Sequence, residues 1–264
     1  MMRQNEVFPY YRKTCDICER LYEEMKSKFE TDYVHDLAQL RGYPSGTQVD
    51  MIRDLQLGCC DISDTELDDD YKEVGLVTKS GNFLLGGRYI IPVRDYVNNL
   101  VSFIGYYPDN RKYITAPSPF FSKATILFNF YDAYERSFRD YNGVVFLVEG
   151  IFDCLSLRSI GLPVVATMGS SVGSIKKDLL AVFNKVIAIP DGDAVGRRAL
   201  NRYDKKYGWQ VPFNTTFIRF QGGTLNGYKV KDMDDFVKLY EPEDICEILL
   251  NYADSKEEIE DLIL

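Results

Sequence analysis

The sequence predicts an α/β fold, a parallel sheet flanked by helices, preceded by a mixed α+β subdomain. From Gly143 onward short apolar runs alternate with helical stretches, and that succession implies parallel strands joined by crossover helices. The run VVFLV (144–148) is apolar throughout, as a strand buried on both faces requires. Upstream the rhythm differs: helical spacing comes first, then paired extended runs. Composition permits such a core, because 264 residues with 45% hydrophobic content can bury one large or two medium domains.

Along the chain, residues 14–40 read as helical, with Leu21, Met25 and Phe29 recurring on one face and a break near Thr31. RGYPSG (41–46) stops that helix, a second helix is expected over 45–57, and LGCCDI looks extended. RYIIPVRD and LVSFIGYYPD, joined by YVNN, form a hairpin. KYITAPSP is extended and proline-rich, and ATILFNFYDAYERSF passes from a strand end or loop into a helix. Strands follow at 144–148, 163–166, 185–189 and 215–219, with helices at 152–160, 173–183, 194–206 and 233–239. The divisions expected from these changes are 1–140, 141–240 and an acidic tail, 241–264, that packs as a helix through Ile245, Ile248, Leu249 and Tyr252.

Net charge is −9, which argues against coating nucleic acid by bulk electrostatics. A local basic track is still present: Arg88 to Lys123 holds five cations and two acids. DTELDDDYKE and SKEEIEDLIL read as solvated acidic segments. The six cysteines show no disulfide framework, and the sequence offers neither a leader nor an 18-residue apolar run, so a reduced, cytoplasmic protein is expected. Cys15 and Cys18 make a lone CxxC with no second ligand pair of suitable spacing, and His35 is the one histidine. Zinc is therefore not expected, and the two cysteines read as neighbours on one helix face.

Ligands of open α/β sheets bind beyond the carboxyl ends of the strands, and acid collects there. Glu149 directly follows strand 144–148, with Gly150 easing the turn. KVIAIP ends at DGD, placing Asp191 and Asp193 around Gly192, and KVKDMDDFVK places Asp232 and Asp234 one residue apart after the next strand. Alternate residues of an extended segment share a side, so each pair can converge. Any one of these acids alone is well explained as a helix cap or turn residue, as is Asp153 at its helix start. Together they would raise one another's pKa unless a cation intervened. Oxygen ligands without clustered His or Cys favour two or more Mg²⁺ or Mn²⁺ ions and phosphoryl chemistry.

LVEGIFD, ATMGSS, AIPDGDAVGRRA and KDMDDFV occur in the order of the TOPRIM domain, and the version most resembles that of bacterial DnaG-type DNA primases. VHDLAQLRGYPSGTQVDMIRDLQLG and the stretch from EVGLVTKSG to NFYDA are similar to the region preceding the core in those primases, so the resemblance covers about residues 34–238. It implies that Glu149, Asp191, Asp193, Asp232 and Asp234 bind the catalytic metals. It also implies that Arg41, Lys112, Tyr113 and Lys123 guide template and nucleotide, with Arg197 and Arg198 near phosphates. Departures exist: SFIGYY stands where the family commonly has GFGGR, ATMGSS varies the phosphate-facing loop, and no four-ligand zinc ribbon precedes the core.

The activity so implied is RNA primer synthesis on single-stranded DNA from NTPs, with a replicative helicase or a separate zinc-bearing template-recognition protein as partners and no membrane. Two other readings share the same residues: a TOPRIM nuclease cleaving phosphodiesters, and an inactive replisome or helicase adaptor. A topoisomerase is disfavoured by the chain's length.

Overall fold

The computed structural model describes residues 4–29, 37, 41, 57–59, 62–201, 208–220, 223–225, 228–254, 257 and 259–262. The helix expected over 45–57, apart from its last residue, lies outside these, as do His35, Cys60 and most of RGYPSG. The chain forms two compact units, residues 1–122 and 123–264. The boundary expected at 140 falls earlier because the helix before it packs with the second unit's core.

The first unit opens with α1 (Gln4–Ser27). Cys18, Leu21, Tyr22 and Met25, at helical spacing, make its buried stripe, and Tyr22 meets Phe103 with ring centroids 6.0 Å apart. Cys15 is buried as well, so the CxxC pair points into the core. Strand β1 (Gly58–Cys59) and helix α2 (Asp69–Glu73) precede the hairpin. Strands β2 (Tyr89–Arg94), β3 (Leu100–Tyr107) and β4 (Lys112–Thr115) complete an antiparallel sheet in the order β1-β2-β3-β4. The β2–β3 turn is built by Asp95, whose Oδ1 accepts from the amides of Val97 (3.0 Å) and Asn99 (2.8 Å) while Asn98 adopts the left-handed conformation.

The second unit has the expected alternation: α3 (Phe130–Asp140), β5 (Val144–Val148), α4 (Ile151–Ser159), β6 (Val164–Ala166), α5 (Ser174–Leu180), β7 (Lys185–Ile189), α6 (Ala194–Ala199) and β8 (Thr215–Phe220). A short hairpin, β9 (Gly223–Leu225) with β10 (Tyr228–Val230), then leads to α7 (Met233–Val237), α8 (Pro242–Leu250) and β11 (Ile259–Leu262). The five-stranded sheet is parallel in the order β11-β8-β7-β5-β6.

Val145, Leu147, Val165, Val186, Ala188 and Phe217 fill one face together with Trp209 and Phe183. In the tail α8 buries Ile245 and Leu249 and passes into a 3-10 turn, Asn251–Asp254; beyond it β11 adds an edge strand alongside β8. The strand order reverses at β5. Its crossover goes to β6 on one side, whereas β7 and β8 lie on the other, so the loops after β5 and β7 diverge and leave a crevice at their carboxyl ends.

Candidate metal centre

Glu149 leaves β5 at this switch point, and Asp191 leaves the adjacent β7, whose Ile189 is paired with Val148. Gly150 then caps α4, with its amide donating to Asp153 Oδ2 at 3.1 Å. Asp153 Oδ1 accepts from the Asp234 amide at 2.8 Å, fastening the start of α7 to α4. The Gly192 amide donates to the Lys231 carbonyl at 2.8 Å, joining the DGD loop to the third acidic loop. The three strand-end loops are thus linked to one another by hydrogen bonds.

The electrostatics record the convergence. Burial first, then the charges of Asp193 and Asp153, push the Glu149 carboxyl up to about 7. Burial, then Glu149 and Asp232, push Asp191 up to about 7 as well. Asp153 is raised far above the carboxylate range by burial and by Asp232, Asp191 and Asp234. Glu149, Asp191, Asp193 and Asp232 thus act on one another, and Asp234 acts on Asp153. The charged forms are disfavoured because water has been removed and like charges face one another.

The hydrogen bonds divide their roles. Asp193 is the N-cap of α6, its Oδ1 accepting from Val195 (2.7 Å) and Gly196 (2.8 Å). Asp232 caps α7 by accepting from the Asp235 amide at 2.9 Å, and it pairs with Lys231 Nζ at 2.6 Å. Asp234, expected as a ligand, is buried and uses both oxygens on protein: Ser156 Oγ donates to Oδ1 at 2.6 Å and Lys238 Nζ to Oδ2 at 2.8 Å. Its neighbour Asp235, which the sequence reading passed over, brings an oxygen within 4.8 Å of oxygens from Asp232 and Asp234. The signal for it was the third acid of the KDMDDF run. Asp153 is a helix-start acid as read, with the added task of holding α7.

A divalent cation fits this donor set. Glu149 Oε2 is buried with no hydrogen-bond partner, an expensive state for a carboxylate that a hard cation would relieve. The acids are oxygen donors throughout, and positive charge at their centre would reverse the raised pKa values.

The residues expected to contact nucleic acid lie in both units. In the first, Lys112 and Tyr113 line a cavity of about 430 Å³ together with Arg88, Tyr107 and Asn110. The exposed Tyr113 ring packs on Tyr106 at 5.0 Å, and Arg41, half-buried, donates to the Tyr106 hydroxyl at 3.3 Å. In the second unit Lys123 is exposed at the start of a 3-10 turn. Arg197 folds back so that Nη1 donates to the Gly192 carbonyl at 2.7 Å, which supports the DGD loop; Arg198 is exposed on α6.

Residues 146–237 match the family model described as Toprim-like. The DNA primase of Aquifex aeolicus is 37% identical over 119 residues, 43% of this chain and 24% of that protein. The DNA primase of Borreliella burgdorferi is 30% identical over 189 residues, 68% of this chain and 33% of that protein. The chain thus spans about a quarter to a third of the curated relatives it matches. Among solved structures, the RNA polymerase domain of Mycobacterium tuberculosis primase DnaG superposes with a TM-score of 0.68 at 15% identity, covering 91% of this chain and 83% of that one. A DnaG primase catalytic domain bound to ssDNA gives 0.64 at 19% identity, with 91% and 80% covered. The fold of the chain is that of DnaG-type catalytic cores.

Proposed function

We propose that this chain, which carries a TOPRIM core of the DnaG primase type, synthesises short RNA primers on single-stranded DNA from NTPs. The observation that carries the reading is the convergence of acids from three strand-end loops on the switch point of this fold. Glu149, Asp191, Asp193 and Asp232 would hold Mg²⁺ or Mn²⁺, with Asp235 close by and Asp234 steadying α7 from behind through Ser156 and Lys238. Bound, such ions stabilise charge on phosphate oxygens and lower the pKa of the attacking 3′-hydroxyl.

The chain's own residues perform the remainder. Asp193 is held in place through Oδ1 by the helix amides it caps, so its second oxygen is aimed without reorganisation; Asp232 is held the same way, and its second oxygen would exchange the Lys231 ammonium for the cation. Burial and like charge push Glu149 and Asp191 up to about 7, so each would release its proton on holding a cation. In the first unit, Lys112 and Arg88 offer cations to phosphates and Tyr113 a ring on which a base can stack. Arg41 supports that ring surface through Tyr106, and Lys123, Arg197 and Arg198 supply positive charge in the second unit. That the superposing primase domain is recorded with ssDNA supports the choice of template. A replicative helicase and a zinc-bearing recognition module are the expected partners. Among the described residues no helix is long and apolar enough to cross a membrane.

The test is direct. The protein is incubated with single-stranded DNA, Mg²⁺ or Mn²⁺ and labelled ribonucleotides. Labelled oligoribonucleotides are expected, and Asp191→Ala abolishes them without unfolding the chain. Shortened DNA instead would mean a nuclease; DNA binding with neither product would mean an adaptor.

A further inference from the structure

Among the described residues no hydrogen bond aims the buried Oε2 of Glu149. Its direction is therefore set by its main chain, and the main chain is held from the neighbouring strand. Thr167, just past β6, donates its amide to the Val148 carbonyl at 3.0 Å, and its hydroxyl, which lies against the Gly169 carbonyl, stands 3.3 Å from the Glu149 carbonyl. Thr167 stands where the chain reverses through positive φ at Met168 and Gly169, beyond the end of the β5–β6 ladder. Its own carbonyl is taken by Lys176 of α5, whose Nζ donates at 2.6 Å.

We propose that Lys176 is a positioning residue for Glu149, acting through Thr167. Lys176 as a residue is 3% exposed, so it is placed to hold the loop rather than to meet a substrate. Burying a cation is costly, and burial lowers this one to about 8, with Lys123 as the charged neighbour adding to the effect. What holds Lys176 there is the strong charge-assisted bond to a carbonyl, and that bond fixes the turn on which the Glu149 backbone hangs. The inference rests on the reading of Glu149 as a metal ligand.

The test is Mn²⁺ binding to the full chain, read by electron paramagnetic resonance with no substrate present. Groups that orient a metal ligand typically change affinity by about 10–100-fold, so Lys176→Met should weaken Mn²⁺ binding by about 10-fold. Lys176→Gln, which keeps a donor without the charge, should stay within about 3-fold of the unmodified chain on the same scale. Glu149→Gln should weaken binding at least as much as Lys176→Met, and the double variant should bind no more weakly than Glu149→Gln alone. Thr167→Val, which deletes the hydroxyl contacts to the Glu149 and Gly169 carbonyls that tie this turn to Glu149, should reproduce the Lys176→Met loss and decides the matter if Lys176→Met does not fold. Additive losses in the double variant, or unaltered binding in Lys176→Met or Thr167→Val beside a weakened Glu149→Gln, overturn the positioning role alone. Unaltered binding in Glu149→Gln overturns the metal reading and the inference with it.

Discussion

Gly196 lies inside α6, and a methyl group added there has no room. An ideal Cβ would stand 1.9 Å from the Asp191 carbonyl oxygen, 2.7 Å from its carbonyl carbon and 2.8 Å from its nitrogen. All three are main-chain atoms, so no side chain can rotate away. To restore even 3.0 Å from that oxygen, the Asp191 backbone must retreat by at least about 1.1 Å, carrying the acid with it. Misplacement of about 1 Å can cost about 100-fold in rate, and overpacking costs about 1–3 kcal/mol. The gain in helix propensity, about 1 kcal/mol, offsets part of the second. Gly196→Ala should therefore lose about 100-fold in primer synthesis and weaken Mn²⁺ binding, with thermal stability lowered by only a few degrees. Gly173→Ala, where an added Cβ meets nothing within 4 Å, is the control and should change neither. A Gly196→Ala chain with ordinary synthesis and ordinary Mn²⁺ binding would refute the claim that α6 sets the position of Asp191.

Three further outcomes follow from the same geometry. With metal chelated, stability should fall as pH rises from about 4 to about 7, because the folded chain keeps protons on Glu149 and Asp191 that the unfolded chain has already lost. Denaturant melts across that range, compared with an Asp191→Asn variant of shallower slope and with excess Mg²⁺, check the sign; identical slopes in all three would contradict it. Asp234→Ala removes the buried carboxylate that Ser156 and Lys238 both bind, so a loss of about 3–5 kcal/mol is expected in urea titration; a loss below about 1 kcal/mol would mean the pair is not structural. Tyr113→Ala should weaken single-stranded DNA binding by about 1–3 kcal/mol while Tyr113→Phe does not, measured by fluorescence anisotropy; equal effects would remove the stacking role.

Much of the second unit was legible because its strands are buried on both faces, and such strands must be written as uninterrupted apolar runs. VVFLV and KVIAI gave their limits to the residue. The acids at their ends were visible for the complementary reason, that charge is conspicuous directly after such a run. β11 was not legible: IEDL carries two acids, which an edge strand tolerates and a buried strand would not, so it resembled a solvated tail. The β9–β10 hairpin has three residues per strand, too few for a period to register. At the site, spacing placed the carboxylates but could not tell which oxygens the protein itself occupies. The partners of Asp234 come from Ser156, 78 positions away, and from Lys238, and no local pattern joins them. Lys176 was passed over because a lysine beside Lys177 and Asp178 looks solvated until the fold covers it.

The bonds from Gly192 to Lys231 and from Asp234 to Asp153 stitch segments that are far apart in the chain into a single frame. A frame so stitched cannot yield piecemeal: lengthening one loop by a residue drags its neighbours out of register, even though none of their letters has changed. Tolerance to insertion in this region is consequently a property of the trio, and the nearest place where extra chain can be taken up without that penalty is the β9–β10 hairpin, which bears none of the acids.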